Sequence, residues 1–171
     1  MNSDLACKED LRVERIDGKV VAMSPRPAVN HTRVAFRIAL LFENYLEGKP
    51  CIALSDGVDL FLSEENNFIP DMMVVCDPDK IKPNGVYGAP DLVVEVLSPG
   101  TAKYDRGPKK NAYERCGVRE YWIVDPVSRS VQVFLLEDGR YSAKDFGTAG
   151  ETVRVNVLED CVIDLSEVFP A

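Results

Sequence analysis

Glu95 stands inside an apolar run, Leu92-Val93-Val94-Glu95-Val96-Leu97, and Pro70-Asp71 heads another, Met72-Met73-Val74-Val75. A carboxylate within a buried strand loses its hydration at heavy cost unless a cation or hydrogen-bond donors replace the water. Glu95 therefore asks for a metal or a lysine. Asp71 can supply a second oxygen ligand, and Lys109, beyond the loop Ser98-Pro99-Gly100-Thr101, can supply an ammonium. Side chains alternate along a strand, so Asp91, Val93, Glu95 and Leu97 share one side and Glu95 can face a neighbouring Asp71. Two converging carboxylates repel unless a divalent cation offsets them. Mg²⁺ or Mn²⁺ suits such a pair, because these hard ions prefer oxygen ligands and keep waters, one of which can become a nucleophile. The Val96 carbonyl can complete the ligand set. The chemistry this points to is phosphodiester hydrolysis.

Further residues can support that site. Asp105, Lys109 and Tyr113 fall at i, i+4 and i+8, along one helix stripe, so Asp105 can orient Lys109. A lysine beside the attacking water and the phosphate would position both and stabilise developing negative charge. The same stripe also reads as a surface salt bridge worth less than ~1 kcal/mol beside a packed tyrosine. Glu14, on an opening hairpin, is either a further acidic ligand or an exposed strand glutamate. Asp91 and Asp125 flank strands and suit bonds to turn backbone. A serine or cysteine hydrolase finds no G-x-S-x-G elbow here, and His31 is the only histidine to act as its base.

The elements that must hold these residues are legible from periodicity and breakers. Asp17-Gly18, between Val13 to Ile16 and Lys19 to Met23, predicts a β-hairpin. After Pro25 and Pro27, Asn30 can cap a helix to about Leu46, with Val34, Ile38, Leu41 and Tyr45 on its core face, joined by Ala35, Phe42 and Leu46. Phe68 to Cys76 and Asp91 to Leu97 are near-continuous apolar runs, as expected of neighbouring central strands covered on both faces. Pro108 fits the first turn of a second helix ending at Gly117. Strands at Tyr121 to Val124 and Val131 to Leu135, a hairpin at Asp138-Gly139 and a short helical turn over Leu165 to Phe169 complete an α/β domain with one mixed sheet.

Composition sets the outer bounds. With 171 residues and 46% hydrophobic content, residues 1–171 are expected to form a single domain, with residues 1–10 as a flexible N-terminal segment. No apolar stretch approaches the ~18 residues of a membrane span, and the chain opens without a secretory signal, so a cytoplasmic protein is expected. The five scattered cysteines lack a C-x-x-C spacing and are expected to be free thiols. A net charge of -8 gives no chain-wide basic footprint for nucleic acid. Lys103, Arg106, Lys109 and Lys110 form the densest local cationic cluster, either a basic groove or a solvated helix start. Exposed apolar surface and edge strands would permit a homodimer.

Pro70-Asp71 followed by Glu95-Val96-Leu97 resembles the PD-(D/E)XK motif of restriction-endonuclease-like nucleases. The longer text Ala89-Pro90-Asp91 through Ser98-Pro99, with Asp105, Lys109, Tyr113, Gly117-Val118 and Glu120 to Asp125, resembles the Uma family of bacterial restriction endonucleases. The similarity extends from Glu14 through Pro25 and His31 to Phe169. It implies a restriction-endonuclease-like α/β fold, a central mixed β-sheet flanked by helices, and a metal-dependent endonuclease acting on nucleic acid. It further implies that Asp71, Glu95 and Lys109 are catalytic and places His31 near their cleft. The superfamily's lysine, two residues after the glutamate, is Leu97 here, and the Uma-like pattern implies that Lys109 replaces it. The alternative is an inactive domain of the same fold that binds nucleic acid or protein.

Overall fold

The computed structural model describes residues 13–22, 27–55 and 57–169. A hairpin, β1 (Val13–Ile16) and β2 (Lys19–Ala22), leads to the helix α1 (Val29–Leu46). Strands β3 (Ile52–Ser55), β4 (Leu60–Ser63), β5 (Asn66–Phe68), β6 (Met72–Val75), β7 (Ile81–Lys82), β8 (Gly85–Tyr87) and β9 (Leu92–Val96) follow. Helical turns α2 (Ala102–Tyr104) and α3 (Lys110–Cys116) flank a π-type turn over Asp105–Lys109. Strands β10 (Glu120–Asp125), β11 (Ser130–Glu137), β12 (Arg140–Thr148), β13 (Thr152–Arg154) and β14 (Val162–Asp164) precede α4 (Leu165–Val168).

The central sheet runs β12-β11-β10-β9-β6-β3 and is mixed, because β9 and β10 are parallel while their neighbours are antiparallel. Alternation along β9 sends Leu92, Val94 and Val96 to one face and Val93 and Leu97 to the other. The first face packs on Val34, Ile38, Phe42 and Leu46 of α1, and on α4. The second packs on Ala112 and Tyr113 of α3 and on a second sheet, β2-β1-β5-β4-β8-β7. Both faces being covered explains why β6 and β9 are apolar throughout. The hairpin turn has Asp17 at φ 48° and Gly18 at φ 76°, the double left-handed geometry that Asp-Gly favours.

Five sequence expectations need correction. The single mixed sheet is one of three among the described residues: a second six-stranded sheet, which takes the opening hairpin, packs on its other face, and β13 and β14 pair as a separate ladder. The apolar run Phe68 to Cys76 is two strands in two different sheets: Pro70 has no amide proton for a ladder, and the chain changes sheets there. Asn30 lies inside α1, whose cap position is Ala28, and its Nδ2 donates to the Pro126 carbonyl at 3.2 Å. Pro108 is not in a first turn but inside the helical segment, where its missing N–H and ring favour the wider π-type turn. Cys51 and Cys76 are not free thiols: they extend the ladder next to the Ile52 and Val75 pair and join in a disulfide. Cys116 and Cys161 are free. Residues 1–10, expected to form an N-terminal segment, lie outside the described residues, as does Met23.

Candidate active site

The register of β6 and β9 pairs Met72 with Val94, which sets Asp71 opposite Glu95 where the two strands leave the ladder. Asp71 Oδ2 accepts the Val96 N–H at 2.7 Å, tying the carboxylate to the partner strand. On its other side, Asp71 Oδ1 lies 3.4 Å from His31 Nε2, which projects from the first turn of α1.

Lys109 reaches Glu95 from the opposite direction. Its ammonium is 2.6 Å from Glu95 Oε1, 2.9 Å from Glu14 Oε1 and 3.7 Å from Asp105 Oδ1. Tyr113 donates to Glu95 Oε1 at 2.6 Å, while Glu14 Oε1 also accepts the Ile69 N–H at 3.0 Å. Tyr121, on β10, donates to the Asp105 carbonyl at 3.0 Å and holds the π-type turn against the sheet. Lys109 is 2% exposed, so the surface-salt-bridge reading of its stripe is excluded. Asp71 is not among the carboxylates within 4 Å of the Lys109 ammonium; it stands on the His31 side of the cleft.

The electrostatics follow from burial and crowding. Burial opposes charge on Lys109, but Glu95, Glu14 and Asp105 outweigh it and hold the ammonium's pKa above its ordinary value. Burial pushes the Glu95 carboxyl well up; Lys109 counters this, and Asp105, Asp71 and Glu14 add to it. The Asp105 carboxyl is raised for the same reason. Burial lowers His31, yet the Asp71 hydrogen bond and charge prevail and raise it above 6.5. Burial, then Glu95, raises the Tyr113 phenol well above its ordinary range.

Lys109, Glu95, Asp71, His31 and Asp105 all open on one cleft of about 750 Å³, along with Val96 and the Ser98 to Thr101 loop. Four carboxylates, Glu14, Asp71, Glu95 and Asp105, crowd around one lysine and one histidine, an excess of negative charge that a divalent cation would offset. Among the described residues no hydrogen bond reaches Glu95 Oε2, and no set of three His, Cys, Asp or Glu side chains is gathered as a metal cage. The donors present thus fit a hard cation held by two carboxylates and a backbone carbonyl, with waters filling the remaining positions.

The sequence alone leaves Glu14 between two roles and does not single out Tyr121. The signal for Glu14 was present: it alternates in phase with buried Ile16, while Val13 and Arg15 point outward. The anticipated cationic cluster does not act as one patch. Lys109 points inward, Lys110 packs 3.7 Å over the Phe134 ring, Arg106 lies 3.6 Å from Asp125, and Lys103 is exposed. Asp125 bonds the turn amides of Val127 and Ser128, and Asp91 accepts the Cys76 N–H at 2.8 Å while pairing with Arg119 at 3.0 Å.

A mixed sheet with an acidic pair at the ends of two adjacent strands, flanked by helices, is the restriction-endonuclease-like architecture of the PD-(D/E)XK class. A crystal structure described as "a putative nuclease belonging to DUF820", from Anabaena variabilis ATCC 29413, shares this fold. The TM-score is 0.74 over 92% of this chain and 89% of that one, at 16% identity. The chain belongs to the Uma2 family, described as "Putative restriction endonuclease", whose model matches residues 3–166. Two uncharacterized proteins of Synechocystis sp., slr1290 and sll1609, are 35% and 28% identical over 127 and 116 residues. Those alignments cover 73% and 66% of this chain and 66% and 65% of the relatives' own length, just under two thirds.

Proposed function

We propose that this protein is a metal-dependent endonuclease that hydrolyses phosphodiester bonds in nucleic acid. The observation that carries the reading is the contact of the Lys109 ammonium with Glu95 Oε1, 2.6 Å, in a cleft whose other wall presents Asp71. Asp71, Glu95 and the Val96 carbonyl would hold Mg²⁺ or Mn²⁺, which when bound polarises a phosphoryl oxygen and lowers the pKa of its water.

The chain's own residues supply position and charge. Lys109, kept protonated by its carboxylates, places positive charge where a phosphate would develop negative charge. Asp105 and Glu14 restrain the ammonium, and Tyr113 and Lys109 engage Glu95 Oε1, leaving Oε2 without a hydrogen bond among the described residues. His31 orients Asp71, and its raised pKa increases the share of imidazolium facing an incoming phosphate. Leu97, 7% exposed and packed in the second core, cannot perform the task of the superfamily's lysine. In this reading Lys109 occupies that role from the helix side.

The rival, an inactive nucleic-acid or protein-binding domain of the same fold, draws on the three carboxylate partners of Lys109, which could make the network purely structural. Incubation of supercoiled plasmid and of circular single-stranded DNA with Mg²⁺ or Mn²⁺ separates them. Metal-dependent nicking is expected, abolished in Lys109→Ala and only mildly reduced in Lys110→Ala. Absence of cleavage in either metal, or full activity in Lys109→Ala, overturns the enzyme reading or the lysine's role respectively.

A further inference from the structure

The cleft continues past the carboxylates. Its second arm runs between α1 and the sheet's edge strand β3, where Ala35, Phe36, Ala39, Leu40 and Ala53 form an apolar wall. Phe36 is 67% exposed and Leu40 47%, although the opposite face of the same helix is fully packed. Among the described residues lining the cleft, the only lysine or arginine is Lys109, and Glu43, Asp71, Glu95 and Asp105 make it acidic. A continuous duplex is held chiefly by cations along its phosphates, and the described residues of this wall offer none. An unpaired base gains from it, because stacking on an aromatic ring needs no charge.

The positive charge lies on the adjoining face of α1. Arg33, Arg37 and Arg129 line a second hollow of about 220 Å³. Arg37 donates to the Glu167 carbonyl at 2.8 Å and Arg129 to that of Phe169 at 2.5 Å. Arg33 is exposed, with no hydrogen-bond or ion-pair partner among the described residues. Arg33 and Phe36, three residues apart on a helix, have Cβ atoms roughly 5–6 Å apart. One nucleotide can therefore set its phosphate against the first and its base against the second.

Resting on the nuclease reading above, we propose that the substrate is an unpaired nucleic-acid strand that crosses α1, with a base stacked on Phe36 and an adjacent phosphate at Arg33. The helix thus both carries His31 into the site and selects single-stranded substrate. The arrangement explains an acidic cleft in a nucleic-acid enzyme: the cations sit one helix face away from the carboxylates.

Fluorescence anisotropy of a fluorescein-labelled twelve-nucleotide oligo-dT, alone and annealed to oligo-dA, tests this with Ca²⁺ replacing Mg²⁺ to avoid turnover. The single strand should bind the tighter. Phe36→Ala should weaken it roughly tenfold, with Phe36→Trp retaining affinity. Arg33→Ala should reduce the slope of log K against log salt by about 0.7, the value for one single-strand phosphate contact. Equal or tighter duplex binding, unchanged binding by Phe36→Ala, or no binding of either probe overturns the proposal. Duplex-only cleavage indifferent to Phe36→Ala would end this proposal and leave the nuclease reading standing. Phe36-dependent single-strand binding without cleavage in Mg²⁺ or Mn²⁺ would do the reverse.

Discussion

Lys109 is an ammonium with almost no access to water, held by carboxylates that would themselves be costly to bury alone. Removing it strands Glu95, Glu14 and Asp105, all under 7% exposed. Breaking such a buried network typically costs about 3–5 kcal/mol, although carboxyls already raised by burial escape part of that by taking up protons. In metal-free buffer, Lys109→Met should therefore lower the melting temperature far more at pH 8 than at pH 5. The sign follows from the direction of the Glu95 shift. A carboxyl whose folded pKa lies above its ordinary 4.5 stabilises the fold fully below that value and loses the contribution as pH rises through the folded pKa. Without Lys109 to counter the shift, the loss grows with pH. Melting curves of both proteins across pH 5–8 measure it, and a gap that stays constant with pH would show that Glu95 and Asp105 do not take up the freed proton.

At the scale of elements, the site depends on contacts that set α3 and the C-terminal strands against the sheet. Glu114 of α3 accepts the Tyr141 N–H at 2.6 Å and Arg140 Nη1 at 3.1 Å, tying the helix that carries Lys109's turn to β12. The Tyr141 amide first, then Arg140, hold the Glu114 carboxyl below its ordinary 4.5. A depressed carboxyl contributes stability above that value and loses it as pH falls through the folded pKa. Glu114→Gln should consequently lose less stability than the parent on going from pH 5 to pH 3.5, and parallel melting curves would refute the tie. On β12 itself, a Cβ at Gly147 would lie 2.8 Å from Leu165 Cδ1 and 2.9 Å from Val153 Cγ1. Gly147→Ala is expected to destabilise by about 1–3 kcal/mol through overpacking, measured by urea unfolding, with little effect at the distant cleft.

Over the whole molecule, the central sheet separates two apolar cores, and the candidate site lies where β6 and β9 emerge between them. No helix among the described residues is long and apolar enough to cross a membrane. If Asp71 and Glu95 share a cation, Mg²⁺ at 100 times its dissociation constant should add about 2.7 kcal/mol to the folded state. For a chain of this length that corresponds to a melting temperature higher by roughly 5–10 °C. Asp71→Asn or Glu95→Gln should remove the rise, whereas Cys116→Ser should preserve it. A melting temperature unmoved by saturating Mg²⁺ and Mn²⁺ would favour the inactive, binding-domain reading.

The sequence alone determined the features that rest on local pattern. Unbroken apolar runs marked β6 and β9 as strands covered on both faces, Asp-Gly pairs marked two hairpins, and the cost of burying Glu95 singled it out before any neighbour was known. Tertiary structure alone decided what depends on residues far apart in the chain. Lys109 meets Glu14 across 95 positions, because the opening hairpin packs over the π-type turn. Cys51 meets Cys76 because antiparallel register adds a pair beyond the end of the β3 and β6 ladder. His31, rather than Lys109, reaches Asp71 because α1 and the π-type turn approach Glu95 and its neighbour from opposite faces of the sheet. Hydrophobic periodicity specifies which side of a strand is buried, but it carries no record of which distant side chain will cover it.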